Sequence, residues 1–145
     1  MLMSNYKMSV PIRPIPDLTS KLYWESLSNK NLKLQKCSEC GKLRFPPLPS
    51  CPYCGSQRGE WVNVSGNAKI YSWIVVHAPI NPSLKEDVPY VVGLVELEEG
   101  PRMVGRILGC SPEDIRKDMP VRFHYHVVDN ELTLLAFEPV DKEQM

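Results

Sequence analysis

A mainly β protein with one short amino-terminal helix is the fold class this sequence predicts, on three observations. Fourteen prolines in 145 residues favour turns and short strands over long helices. Two matched Cys-x-x-Cys pairs stand in a stretch too short to build a core of its own. After them come five segments rich in β-branched and aromatic residues.

The hydrophobic fraction of 43% and charged fraction of 23% place the chain in the soluble globular class. Seventeen basic and seventeen acidic side chains cancel, whereas a nucleic-acid binder draws most of its affinity from a basic excess. No apolar run approaches the roughly 18 residues that span a bilayer, so no membrane partner is expected. The first residues, MLMSNYKMSVPIRPIPD, lack the apolar core of a signal peptide. A cytoplasmic location is the expectation, and there paired cysteines are more often metal ligands than disulfides.

Residues 1–16, punctuated by Pro11, Pro14 and Pro16, read as a flexible arm. Residues 17–31 predict a helix: Asp17 or Thr19 can cap it, and Leu18, Leu22, Tyr23, Trp24 and Leu27 give a broad apolar stripe. Residues 32–60 hold four cysteines, and residues 61–145 form the β-rich remainder. There, Ala68–His77, Tyr90–Glu99 and Arg102–Leu108 read as strands, with a turn at Gly100-Pro101. Ser111, Pro112, Glu113 and Asp114 carry the signs of a helix start. Val121–Val128 and Leu132–Val140 return to strand across Asp129-Asn130. Three strands, a short helix and two strands is the order of the OB-fold, a five-stranded Greek-key barrel; a small sandwich gives a similar string.

Cys37-Ser38-Glu39-Cys40-Gly41 and Cys51-Pro52-Tyr53-Cys54-Gly55 are two knuckles with ten residues between them. Two residues between ligands let one tight turn aim both sulfurs at one ion, and the glycine that follows accepts positive φ. Four thiolates complete a tetrahedral Zn2+ site with no position for water, which is the structural rather than the catalytic kind. Two disulfides, a redox pair or an iron site are the alternatives.

Other residues are weaker candidates. Cys110 stands alone and reads as a small core residue. His124 and His126 share one strand face, which reads as a solvated face, with metal or phosphate binding as the alternative; Tyr71 and Trp73 share another, which reads as packing, with base stacking as the alternative. His77 precedes a proline-rich loop, where OB-folds often bind ligands. Tyr23 and Trp24 can dock on the barrel or face a partner. No phosphate-cradling glycine loop, nucleophile elbow or paired-carboxylate motif is legible.

The stretch LYWESLSNKNLKLQKCSECGKLRFPPLPSCPYCGS resembles the amino-terminal signature of the DUF35 family. The resemblance lies in Tyr23-Trp24, Phe45-Pro46-Pro47 between the knuckles, and the second knuckle. It continues through Ser65-Gly66, Ile70-Tyr71-Ser72, Pro89-Tyr90 and Leu97-Glu98-Glu99-Gly100. Asn67-Ala68 and Lys117–Val121 depart from the pattern by lacking a usual glycine. The resemblance implies an amino-terminal helix, a rubredoxin-like zinc ribbon and a carboxy-terminal OB-fold. It further implies a non-catalytic scaffold that binds acyl-CoA beside a thiolase or hydroxymethylglutaryl-CoA synthase-type enzyme. On that reading Tyr23 and Trp24 line a groove for the acyl arm. Lys33, Lys36, Arg44 and Arg106 are candidate phosphate partners, and His77 is a further ligand candidate. The competing function is a nucleic-acid-binding OB-fold with a zinc ribbon.

Overall fold

The computed structural model describes residues 8–140; residues 1–7, which belong to the expected arm, and 141–145 lie outside the described residues. Residues 8–16 run without regular structure and are tied to the barrel at two points. Ser9 donates from its backbone N–H and its hydroxyl to Asp87 (2.8 and 2.7 Å). Arg13 donates two hydrogen bonds to the carboxylate of Asp129 (2.9 and 3.3 Å).

Helix α1 spans Lys21–Ser28, shorter than the predicted 17–31. Before it, Asp17 and Ser20 close a turn by exchanging hydrogen bonds of 2.8 and 3.1 Å. After it, Lys30 adopts φ 53° and the N–H groups of Lys30 and Asn31 return to the carbonyls of Leu27 and Ser26. That is a Schellman stop with lysine where glycine is usual. Strands β1 (Lys33–Cys37), β2 (Leu43–Arg44) and β3 (Gly59–Asn63) make a small antiparallel sheet in the order β2-β1-β3. Trp61 and Val62 pair with Gln35 and Leu34, so β3 serves the cysteine-bearing sheet although part of it lies beyond residue 60.

Strands β4 (Asn67–Val76), β5 (Tyr90–Leu97), β6 (Arg102–Ile107), β7 (Pro120–Val127) and β8 (Thr133–Pro139) close into a barrel in the order β4-β5-β6-β8-β7. One parallel pair, β6 with β8 at Ile107 and Phe137, seals it among antiparallel neighbours. This is an OB-fold, as the strand order predicts. Strand β5 alternates strictly, with Val91, Gly93, Val95 and Leu97 buried. Val91, Val95 and Leu97, with Ile70, Met103, Ile107, Val121 and Phe137, join Tyr23, Leu27, Leu32 and Leu34 in one core. Helix, ribbon and barrel therefore share an interior.

The helix expected after Ser111 is a single 3-10 turn, Pro112–Asp114. Its backbone partners are non-local. Ile70, at a register shift in β4, accepts from the N–H of Asp118 (2.7 Å) and donates to the carbonyl of Met119 (3.0 Å). Ile115, extended at ψ 139°, drops its side chain into the core. Continued helix would forfeit both.

Two glycines face each other across β5 and β6, Gly93 opposite Gly105. A Cβ on Gly105 would stand 2.8 Å from the Phe137 ring and 3.2 Å from the Leu135 carbonyl oxygen. Phe137 is fully buried at the barrel seam, so it has little room to retreat. Gly105→Ala is expected to cost about 1–3 kcal/mol by overpacking, read as a lower urea midpoint at unchanged m-value. An unaltered midpoint would show that the seam is loose.

Candidate metal centre and surrounding surfaces

The two knuckles fold identically because the same short-range bonds form in each. In the first, Gly41 (φ 77°) donates to the Cys37 carbonyl at 3.0 Å. In the second, Gly55 (φ 81°) donates to the Cys51 carbonyl at 2.8 Å. A second bond closes each knuckle: Cys37 N–H to Lys42 O at 3.0 Å, and Cys51 N–H to Ser56 O at 2.8 Å. The knuckles bring the four sulfurs within 4.8 Å of one another. Cys37 and Cys54 are 3.5 Å apart and Cys40 and Cys51 3.7 Å, too far for a disulfide near 2.05 Å. A tetrahedral ion with Zn–S bonds of about 2.3 Å requires sulfurs about 3.8 Å apart. The donor set fits zinc in number, type and spacing.

The backbone N–H of Cys40 points at Cys37 Sγ (3.4 Å), and this bond, outweighing burial, lowers the Cys37 thiol to about 6. Cys51 is also lowered: burial opposes the shift, but the N–H groups of Tyr53 and Cys54 prevail. Cys37 and Cys51 are buried, while Cys40 and Cys54 reach solvent. The first cysteine of each knuckle is thus held toward thiolate, the form a metal binds, whereas Cys54 is raised to about 11: the Ser56 N–H lowers it, but its hydrogen bond with Cys37 and burial prevail.

Around the ribbon lie the other residues that the sequence nominates. Tyr23 is buried against Trp24 and Phe45, with ring centroids 5.2 and 5.4 Å away. Burial, with Tyr125 nearby, raises its phenol above the ordinary range. Trp24 lines an open groove of about 860 Å³ together with Leu18, Lys21 and three carboxylate residues, Asp17, Glu25 and Glu131. Lys33 and Arg44 line two other grooves. Lys36 sits mid-strand opposite Leu43 and Glu60. Arg44 is buried. His77 is exposed just past β4. Trp24, Lys33 and Arg44 thus line three adjoining grooves, which share Leu18, Leu22, Glu25, Asn29 and Trp61.

Arg106 has a different role. Its guanidinium lies 3.9 Å over the Tyr90 ring and pairs with Asp87 at 2.8 Å, both charges being largely withdrawn from solvent. Asp87 also takes the two Ser9 hydrogen bonds, so one carboxylate fixes the arm, the β4–β5 loop and β6. No local pattern marks this, since the partners are 78 and 19 residues away. Tyr71 is similarly covered, with Arg102 3.8 Å over its ring. His124 and His126 lie 6.4 Å apart, and burial lowers the pKa of both. The four cysteines form the one potential metal-holding group of three or more His, Cys, Asp or Glu among the described residues. Cys110 donates to the Ser111 carbonyl (3.5 Å), and burial raises its thiol.

A tetrathiolate ribbon fused to an OB barrel defines a zinc-ribbon scaffold class rather than a hydrolytic metal site. Residues 24–59 match the family model described as "ChsH2, rubredoxin-like zinc ribbon domain", and residues 61–126 match "ChsH2, C-terminal OB-fold domain". The chain belongs to the DUF35 family. It is 38% identical over 100 residues to a DUF35 domain-containing scaffold protein of Pyrococcus furiosus, covering 68% of this chain and 72% of that one. A solved chain from the "Ltp2-ChsH2(DUF35) aldolase" superposes with a TM-score of 0.79 at 40% identity, over 88% of this chain and 98% of that one. A probable enoyl-CoA hydratase alpha subunit of Thermomonospora curvata is 40% identical over 127 residues, 88% of this chain and 39% of that one. The benzoylsuccinyl-CoA thiolase subunit BbsA of Thauera aromatica is 32% identical over 90 residues, 60% of this chain and 58% of that one. The chain thus spans about two fifths of the hydratase subunit it matches.

Two outcomes test this construction. Cys51→Ser is expected to abolish stoichiometric zinc, measured by metal analysis, while far-UV circular dichroism retains the barrel's β signal; full zinc retention would contradict the ligand set. Burial raises the Asp87 carboxyl, but the Ser9 bonds and Arg106 lower it further, leaving it below its ordinary 3.8. Its contribution is therefore complete above that pH and lost as the pH falls through the lower folded value. Asp87→Asn should remove about 3 kcal/mol at neutral pH by stranding Arg106, and should flatten the stability decline below pH 4. An unchanged acid limb of the melting profile would refute this role.

Proposed function

We propose that this chain is a non-catalytic subunit that scaffolds an acyl-CoA enzyme, with Cys37, Cys40, Cys51 and Cys54 holding one structural zinc ion. The observation that carries the reading is the 40% identity across 98% of a solved DUF35 chain named for an aldolase. Relatives named for a hydratase subunit, a thiolase subunit and a scaffold protein support it from three sides. The partner is a thiolase, a hydroxymethylglutaryl-CoA synthase or a related acyl-CoA enzyme in the cytoplasm, where the thiols stay reduced.

CoA is proposed as the shared ligand. The Trp24 groove suits its neutral pantetheine or acyl arm, because an indole wall offers apolar contact. It does not suit the phosphates, which Asp17, Glu25 and Glu131 would repel. The phosphates therefore bind at a surface the partner completes. A nucleic-acid role has weaker support: charge is balanced, and Tyr71, the exposed strand aromatic, is stacked under Arg102.

Affinity capture from nuclease-treated lysate of the native host, with mass spectrometry, tests the proposal. An identified acyl-CoA enzyme in near-equimolar yield is expected. Recovery of ribosomal or other nucleic-acid proteins, without a CoA enzyme, would contradict it.

A further inference from the structure

Strand β4 is ten residues long, but β7 pairs only with its start, from Asn67 to Lys69. Ile70 then bonds to Asp118 and Met119, and a register shift follows before Ser72. From Ser72 to Val76, β4 pairs with β5 alone. The β5–β6 hairpin fixes which backbone groups face outward. Leu97 N–H bonds to Pro101 O, so Val95, Gly93 and Val91 also direct their backbone groups to β6. Leu94, Val92 and Tyr90 direct theirs to β4, where they stand opposite Ser72, Ile74 and Val76. Trp73 and Val75 therefore turn their N–H and C=O groups away from β5. Among the described residues neither has a backbone partner on that side.

Exposed strand edges are usually guarded by charged side chains or proline. This one reads Ser-Trp-Ile-Val-Val and has neither guard. Trp73 and Val75 pack their side chains against the core. Ile74 lies on the opposite, outer face and is 62% exposed.

We propose that β4 is a dimerisation edge, which pairs antiparallel with β4 of a second copy of this chain about a two-fold axis at Ile74. The open stretch is bounded by the Ile70 bonds at one end and by the end of β4 at Val76. Ile74 stands at its centre, so an axis there uses the whole of Ser72–Val76 and displaces no existing bond. Trp73 of each copy then stands opposite Val75 of the other, and the two exchange both of their N–H···O bonds. Ile74 meets Ile74 of the second copy as a non-hydrogen-bonded pair, with Cα atoms about 4.5 Å apart. Ser72 faces Val76. Self-pairing across a two-fold axis brings each charge near its own kind, and a ladder neutral at every position meets that condition. A charged strand from another protein would find no complementary charge along it. The inference stands independently of the acyl-CoA reading.

The test uses the zinc-loaded full chain, followed by sedimentation velocity and amide hydrogen exchange at low and high protein concentration. The dimer fraction is expected to rise with concentration. Exchange should slow selectively at Trp73 and Val75, because Ser72, Ile74 and Val76 already bond to β5. Ile74→Lys and Ile74→Asp alter a side chain that faces solvent, and unchanged thermal melting verifies the fold. Each variant alone should associate at least about tenfold more weakly. An equimolar mixture of the two should restore the dimer, since opposite charges then meet across the axis. Val104→Lys, on the same outer face but two strands away in β6, should leave the dimer intact. A monomer at every concentration, a dimer indifferent to Ile74→Lys, a mixture no better than its components, or a dimer lost equally in Val104→Lys would overturn the proposal.

Discussion

Four sulfurs within 4.8 Å of one another are the constraint on which the amino-terminal half of this molecule depends. The ribbon sheet consists of strands of five, two and five residues, and Leu34 and Arg44 are its buried strand residues apart from Cys37. So small a sheet lacks the apolar area to offset its own chain entropy. A single ion bound by both knuckles joins β1, the Phe45–Pro49 segment and the approach to β3, and metal affinity becomes folding free energy. The backbone N–H groups that lower Cys37 and Cys51 prepare the ligands for that role.

The barrel is organised differently. Its closure rests on shape, with Gly105 letting Phe137 lie against β6 and Gly93 making room for Ile107. Helix α1 joins the two regimes. Tyr23 and Leu27 enter the common core, Ser26 Oγ accepts from Lys33 N–H (3.0 Å), and Tyr125 Oη of β7 accepts from Leu32 N–H (2.9 Å). The ribbon and the barrel are thereby joined through α1 and a common core.

The knuckles were legible because their chemistry is local: ligand spacing and the glycine after each pair lie within five residues. The barrel was legible because β5 to β8 keep strand composition and turn punctuation. Where the sequence misled, distant partners decided. Residues 112–119 look helical, but only a 3-10 turn forms, and backbone bonds of Asp118 and Met119 with Ile70 tie the end of the segment to β4. Lys30 ends α1 in a conformation that glycine would have announced. Nothing local in the sequence marks the surroundings of Arg44 and Arg106: Gln35 and Leu48 enclose the first, and Asp87 and Tyr90 secure the second. The DUF35 resemblance predicted the architecture.

Hydrogen exchange on zinc-loaded and zinc-depleted protein tests the central claim most directly, that the metal holds the ribbon while the barrel stands on its own core. Zinc removal should erase amide protection from Leu32 through Asn63 and weaken it in α1, leaving β5, β6 and β8 protected. Uniform loss of protection across those barrel strands, or retained protection in β1 and β3, would contradict the account.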